Sequence, residues 1–489
     1  MFKSISATIP ADSDLPDRSR VLDLRQRVLM GTFYDGLNYE FHQEKNGAGE
    51  YVPLVSRQPS IRYGLCRLVV DETVAMLFGE SRFPDLDCED EDTRNNLALI
   101  EDECGLVRAM REAALFGSCG SVCVLMRVLG KRPYFDVMQT LFLTPTWQKN
   151  APDQLESVRE RYKVRGQAMA DAGYSIKSSD LQAWFWFQRI WDMQTESWFL
   201  PLKVSDLKRG KSFLLDTART VEHRFGFVPM VWIRNLPGGD QVDGDCTFRA
   251  AIETSIEIDY QLSQAGRGLK YSSDPTLMIK EPAFGDGQFV KSAANALLVS
   301  EKGDAKLLEI GGTAAAAVIE YVRVLREMAL ESVHGNRANA DKLSAAQSGR
   351  AMELMNQPMI NLVDQLRDAY GTNGLLPLLR MVVAASALYP MALHGDALPL
   401  ASGVRVALKW PPYFSPTQAD RQGEATTLTT LVTGGILSKE DAVKQVCETM
   451  DIPDAQAAMA RIKADEAAVD ARLAEQPAVA TQAKETVES

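Results

Sequence analysis

The sequence predicts an α+β protein built from several parts, and three observations carry that reading. Up to Phe116 apolar residues recur at helical spacing; from Ser121 the period drops to two, as in strands. Further on, two long helical stretches, Thr247 to Lys270 and Thr313 to Val333, flank a short strand-rich insert, Pro275 to Ile310. A chain of 489 residues exceeds what one hydrophobic core serves. An insert of about 35 residues cannot bury a core of its own, so it needs neighbours, and other copies of the chain are the simplest source.

In order along the chain, Met1 to Asp14 lacks periodicity and reads as a loose arm, and Asp17 to Gly31 as a short charged helix. Asn38 to Gly49 is loop-like. Ser60 to Phe78 has a capping residue, an apolar stripe through Leu65, Leu68, Val69 and Met76, and Gly79 as terminator. Asp92 to Phe116 reads as one further helix ended by Gly117. Strands are expected over Ser121 to Val128, Arg132 to Met138, Trp184 to Ile190, Ser197 to Leu202, Ser212 to Leu215 and Val228 to Ile233. The charged stretch Gln154 to Gly173 reads as helical or variable. Leu236-Pro237-Gly238-Gly239-Asp240 is a loop signal and a candidate boundary.

Ala251, Ser255, Ile258, Leu262, Ala265 and Leu269 give the next long helix a narrow stripe suited to close packing. After Thr313 to Val333 the apolar pattern stops at His334 to Lys342, a polar loop. A helix from Ser344 to Tyr370 follows, with Pro358 inside it as a kink and Gly371 as its stop. Trp410 to Thr417 is a rigid Pro-rich segment. Helices over Thr417 to Val432, Ser438 to Met450 (Ser438 and Asp441 capping) and Asp454 to Leu473 precede a tail, Glu475 to Ser489, that reads as disordered.

A net charge of −12 and a pI near 5.1 argue against a general nucleic-acid binder. They leave room for a channel along which DNA slides, because every phosphate that is neutralised must be released again. The seven cysteines are scattered without C-x2-C spacing, so neither a disulfide framework nor a zinc knuckle is expected, and Cys119 and Cys123 read as buried free thiols. No signal sequence is visible at Met1-Phe2-Lys3-Ser4, and Leu375 to Leu393, broken by Pro377, Arg380 and Pro390, reads as a buried helix and not a membrane span. The chain reads as cytosolic.

Phosphate-loop, zinc-protease and serine-hydrolase motifs are absent from the sequence. Gly117-Ser118-Cys119-Gly120-Ser121 is read as a tight helix-to-strand turn in preference to a nucleophile site. Glu89-Asp90-Glu91-Asp92 is read as an acidic lead into a helix in preference to a cation site. Gly266-Arg267-Gly268 is a helix-end feature, and His334 a helix C-terminal residue. Trp184, Trp186, Trp191 and Trp198 fit core or interface better than base stacking, and Met352, Met355 and Met359 fit core. No catalytic residue, metal or cofactor is expected.

The order of long helix, polar loop and then Ser348-Gly349-Arg350-Ala351-Met352-Glu353-Leu354 opening a long helix resembles tailed-bacteriophage portal proteins, as does the segment Trp410 to Asp441. The likeness runs from about Leu54 to Asp454. It implies a portal-protein fold: an arm and start of the wing (1–53), wing (54–240), first stem helix (241–274), β clip (275–310), second stem helix (311–333), tunnel loop (334–343), long kinked helix and remaining wing (344–409), helical crown (410–473) and tail (474–489). It implies a homo-oligomeric ring, typically of twelve subunits, at one capsid vertex of the virion, assembled in the host cytoplasm without a membrane. The partners implied are double-stranded DNA in the channel, terminase, the head–tail connector or adaptor, and the major capsid and scaffold proteins. His334, Asn336, Arg337, Asn339 and Lys342 would face the DNA, and Arg323 and Arg326 the DNA or a neighbouring subunit. Lys280, Glu281, Phe284, Asp286 and Lys291 of the clip would meet terminase and connector. The competing readings are a cytosolic α+β enzyme with an unrecognised site and a monomeric scaffold or adaptor protein.

Overall fold

Phe2, Ile5 and Ile9 share one side of the first turns of the chain, and in the computed structural model that side is buried. The structure describes residues 1–240, 242–273, 276–282, 299–308, 313–335, 353–354, 356–414, 418–449 and 455–474. It divides the chain into two compact units, residues 1–339 with 356–413, and residues 340–355 with 414–489.

In the larger unit the start of the chain is not a loose arm. Helix α1 (Phe2–Thr8) buries Ile5 completely, and Phe2 stacks on Phe33 at 5.3 Å. Asp12 and Asp14 then hold Lys163. Apolar residues at helical spacing, hidden among Ser and Thr, decide the outcome. Helix α2 (Asp17–Met30) ends at Gly31, whose φ of +72° suits glycine. Helix α3 (Leu65–Phe78) begins five residues later than Ser60. The residues before it stay outside the helix because Ile61 and Tyr63 give their N–H groups to a helix some two hundred residues further along the chain.

After the short strand β1 (Asp85–Cys88), the single helix expected over Asp92 to Phe116 is two, α4 (Glu91–Glu103) and α5 (Leu106–Gly117). Gly105, at φ +73°, breaks it. Asp90 caps α4, accepting the Thr93 N–H at 2.9 Å, which is the helix-lead reading of that acidic run.

Strands β2 (Ser121–Leu129) and β3 (Arg132–Gln139) form a hairpin. A second antiparallel sheet follows from β4 (Leu143–Gln148), β5 (Ala151–Arg165), β6 (Trp184–Trp191), β7 (Thr195–Trp198), β8 (Leu202–Lys203) and β9 (Val221–Glu222), in the order β4-β5-β6-β7-β9 with β8 on β6. Helices α6 (Gly166–Asp171) and α7 (Val204–Lys208) are its short connections. The charged stretch from Gln154 is therefore mostly strand. Its cations lie over the aromatic rings of β6: Arg161 is 4.4 Å from Trp186, and Arg165 is 4.1 Å from Trp184. A strand covering rings with guanidinium groups reads as polar, which conceals it. The strand expected over Ser197 to Leu202 is split at Pro201, and Ser212 to Leu215 contributes only a bridge from Leu215 to Phe199.

Strand β10 (Met230–Arg234) completes the first sheet in the order β10-β2-β3, with α5 packed over β2 and β3. A 3₁₀ turn, Arg249–Ala251, leads into α8 (Ile252–Ser273), strands β11 (Thr276–Pro282) and β12 (Val299–Leu308), and α9 (Thr313–Ser332). The described chain then resumes as α10 (Gln357–Leu366), a π-helical stretch Arg367–Leu375, and α11 (Leu376–Ser386). Pro358 lies in the first turn of α10, where its missing N–H costs nothing, and the stretch from Ser344 to Met352 that a kink there would bend lies outside the described residues. Gly371 does not stop the helix. A Cβ there would lie 2.5 Å from Trp410 Cζ2, so the glycine admits the indole. Strands β13 (Met391–Leu393) and β14 (Asp396–Leu398) pair with each other, and β15 (Val406–Lys409) pairs with β1.

The π-helical stretch is tied to the first sheet by a buried polar node. Tyr370 donates to Asn235 Oδ1 at 2.9 Å, and Asn235 donates to Asp245 O and Thr247 Oγ1. Gly117 passes so close that a Cβ would sit 2.1 Å from the Tyr370 hydroxyl.

The smaller unit is helical: α12 (Gln418–Thr433), α13 (Lys439–Thr449) and α14 (Ala455–Ala474). Ser438 caps α13, accepting the Asp441 N–H at 3.0 Å, as its sequence pattern predicts. The polar loop beyond Gly335, the segment Ser344 to Met352 with Met355, and Glu475 to Ser489 lie outside the described residues. The whole is α+β, with helices and antiparallel sheets.

Candidate functional site

The most distinctive feature of the larger unit is an arm made of α8, the β11–β12 hairpin and α9. Helix α8 has 22 residues and α9 has 20, so each is a rod of about 30 Å. The hairpin pairs Thr276 with Leu308 and Ile279 with Ala305, with a register shift between Lys280 and Pro282. The end of α9 returns to the turn that starts α8, so the two helices run antiparallel. Ala329 and Leu330 from α9, with Val333 just after it, enter the same core as Phe248, Ile252 and Ile256.

Helix α8 is anchored by polar groups as well as apolar ones. Asp259, 4% exposed, accepts the Tyr34 hydroxyl at 2.7 Å and the Tyr63 N–H at 2.7 Å. Tyr260 donates to Arg57 O at 2.8 Å, and Ser263 accepts the Ile61 N–H at 3.0 Å. Burial raises the Asp259 carboxyl to about 6, against the lowering effect of its hydrogen bonds. Near the far end of α8, Arg267 pairs with Glu44, whose carboxylate lies 4.0 Å from the buried Arg57. The narrow stripe holds at Ala251, Ser255, Ile258 and Ala265, all buried; Leu269 is exposed.

Helix α9 is different. Val322, Leu325 and Ala329 face the core, while on a flank of the helix, between that face and the charged one, Tyr321, Val324 and Met328 are 47, 43 and 62% exposed. With Ala317 they are spaced four, three and four apart, which is a second apolar stripe. Nothing among the described residues covers it.

Arg323 is exposed and held between Glu320 at 3.8 Å and Glu327 at 3.6 Å, while Arg326 is exposed without an ion pair among the described residues. His334 follows the end of α9 in a left-handed conformation (φ +55°), and the Gly335 N–H closes the turn on Leu330 O at 2.8 Å. Asn336, Arg337, Asn339 and Lys342 lie outside the described residues, as do Phe284, Asp286 and Lys291. Lys280 and Glu281 occupy the end of β11, beside the register shift.

In the turn Gly117 to Ser121 the Ser121 hydroxyl is buried and donates to Asp243 Oδ1. Ser118 donates to Leu115 O, and burial raises the Cys119 thiol well above its ordinary value. All seven cysteines are free, and Cys123 is fully buried. Trp186 and Trp191 are core residues, whereas Trp184 is 45% exposed. Met359 is core. Among the described residues no group of three or more His, Cys, Asp and Glu is placed to hold a metal ion, and no helix is long and apolar enough to cross a membrane.

Two features escaped sequence reasoning. The partners of Asp259 are far away in sequence and only the fold brings them together. Three arginines, Arg367, Arg380 and Arg405, line one cavity although they come from three different elements.

No family model matches the chain, and no curated protein does. Among solved structures it is similar to a chain of "Neck of native GTA particle computed with C12 symmetry", at 13% identity over 86% of this chain and 91% of that one, with a TM-score of 0.37. A chain of "Neck of empty GTA particle computed with C6 symmetry" gives 13%, 77%, 87% and 0.36. A chain of "Virion of native gene transfer agent (GTA) particle" gives 13%, 77%, 86% and 0.35. Likeness this faint carries no functional argument.

Proposed function

We propose that the protein is the subunit of a phage portal ring at a single capsid vertex, the channel for DNA packaging and ejection. The observation that carries the reading is the arm: two antiparallel rods bearing a hairpin, one of them with an apolar stripe turned away from its own core. A hairpin of this size does not fold independently, and a stripe of this kind is stable in water when another copy of the chain covers it.

In this reading α8 and α9 are the stem, the hairpin with Phe284, Asp286 and Lys291 is the clip that meets terminase and the head–tail connector, and residues 334–343 form the tunnel loop. Asn336, Arg337, Asn339 and Lys342 touch passing phosphates. Arg323, restrained between two glutamates, presents a weakened charge, which suits transient contact with DNA. The crown belongs to residues 410–473. The role is structural; ATP hydrolysis belongs to the terminase.

Native mass spectrometry of the purified chain tests this. Twelve subunits of 54.0 kDa give about 650 kDa, with a central hole in negative-stain images. A chain that stays monomeric both alone and when co-expressed with capsid and scaffold proteins would overturn the reading. With rings in hand, deleting Asn336 to Asp341 should leave assembly intact and impair DNA packaging or retention.

A further inference from the structure

Between the π-helical stretch and β15 lies a cavity of about 550 Å³ whose wall carries Arg367, Arg380 and Arg405. The three reach it from the π-helical stretch, α11 and the residue preceding β15. Arg367 is fixed in place. It donates to Pro411 O at 3.0 Å and lies flat against Tyr413, 3.7 Å from the ring centre, and against Trp410 at 4.8 Å. Its Nε–H is buried with no acceptor. Arg380 and Arg405 are exposed and make no hydrogen bond, ion pair or ring contact with any described residue.

Two carboxylates share the cavity with the three cations, which leaves one positive charge in excess among these five groups. Asp364 is engaged by the Tyr413 hydroxyl, and Asp368 pairs with none of the three arginines. Thr372 adds a hydroxyl to the lining, and the glycine at 371 lets the Trp410 indole close one side. Guanidinium groups are the side chains whose forked donors match tetrahedral oxyanions, and one of them is already oriented here.

We infer that this cavity is a binding site for a phosphate group, held by Arg380 and Arg405 against the pre-oriented Arg367. The source is either a free phosphate, including that of a nucleotide, or a phosphodiester of DNA. The inference stands whether the chain is a monomer or a ring, so native mass spectrometry and phosphate titration fail independently.

The test is calorimetric titration of the full chain with inorganic phosphate, ionic strength held constant with chloride. Arg405→Gln and the double variant Arg380→Gln/Arg405→Gln are compared with Arg421→Gln, an exposed control in the smaller unit, and circular dichroism checks each fold. Affinity should fall about tenfold per arginine removed and stay unchanged in the control. Short duplex DNA forms the second arm. If its binding weakens in the same variants and phosphate competes with it, the phosphodiester is the source; if only phosphate binding weakens, the source is a free phosphate. Absence of phosphate binding in the wild-type chain, or equal affinity in the folded variants, overturns the site.

Discussion

Helices α8 and α9 are nearly equal in length and belong to one arm, yet the chain treats them in opposite ways. Over its first half α8 is enclosed on several sides, and even its polar residues find partners: Asp259 in Tyr34 and Tyr63, Tyr260 in Arg57, Ser263 in Ile61. Helix α9 spends one face on the core, through Ala329 and Leu330, and has a second apolar face that no described residue covers. A helix whose polar groups are satisfied within its own chain is an element of the fold. One whose apolar surface exceeds what its chain covers is, in the proposed ring, an element of the assembly.

Substitutions separate the two. Ile258, fully buried on α8, should lose about 2–5 kcal/mol of folding stability on replacement by alanine, through lost burial and the cavity left behind. Urea denaturation measures it, and a loss no greater than that of an exposed alanine variant would mean that α8 is not the anchored member.

Asp259 comes next. Its folded-state value of about 6 lies above the ordinary carboxyl value of 3.8, so the folded state binds the proton more tightly than the unfolded chain does. The favourable contribution is complete below pH 3.8 and is lost as pH rises through about 6. Asp259→Asn removes this dependence. Relative to wild type the variant should gain up to about 3 kcal/mol between about pH 4 and pH 7.5, the equivalent of about two pKa units. Parallel stability–pH curves for the two proteins would show that Asp259 is not held in that state.

The same contrast explains what could be read from sequence. Period alone located α8, α9 and the strand-rich insert between them, because a stripe at 3–4 spacing or a β run bounded by Gly and Pro is local information. It failed where a distant residue decides. Strand β5 is charged because its cations cover Trp184 and Trp186 on the neighbouring strand. Gly371 reads as a helix stop but is a clearance for Trp410. For the candidate site, the order of long helix, small β insert and long helix was legible, and so was Arg323. Its restraint by Glu320 and Glu327 follows from helical spacing once that spacing is taken literally. The convergence of Arg367, Arg380 and Arg405 was not legible, since no local pattern links three positions on separate elements.

The smallest effect on the fold should come from the bare face of α9. Val324 and Met328 are 43 and 62% exposed, so Val324→Asp and Met328→Asp remove little that the isolated chain buries. Each should change monomer stability by no more than about 0.5 kcal/mol. In a ring the same positions are covered, and an aspartate there leaves an unpaired charge in an apolar contact, beside Glu320, Glu327 and Glu331 on the adjoining face. Assembly should therefore be lost while the monomer stays folded, which native mass spectrometry and circular dichroism read separately. A variant that unfolds as readily as Ile258→Ala would place the stripe inside the chain's own core. One that still forms full-sized rings would leave the stripe outside the subunit contact and move the search for that contact to other exposed apolar residues, such as Leu269 on α8.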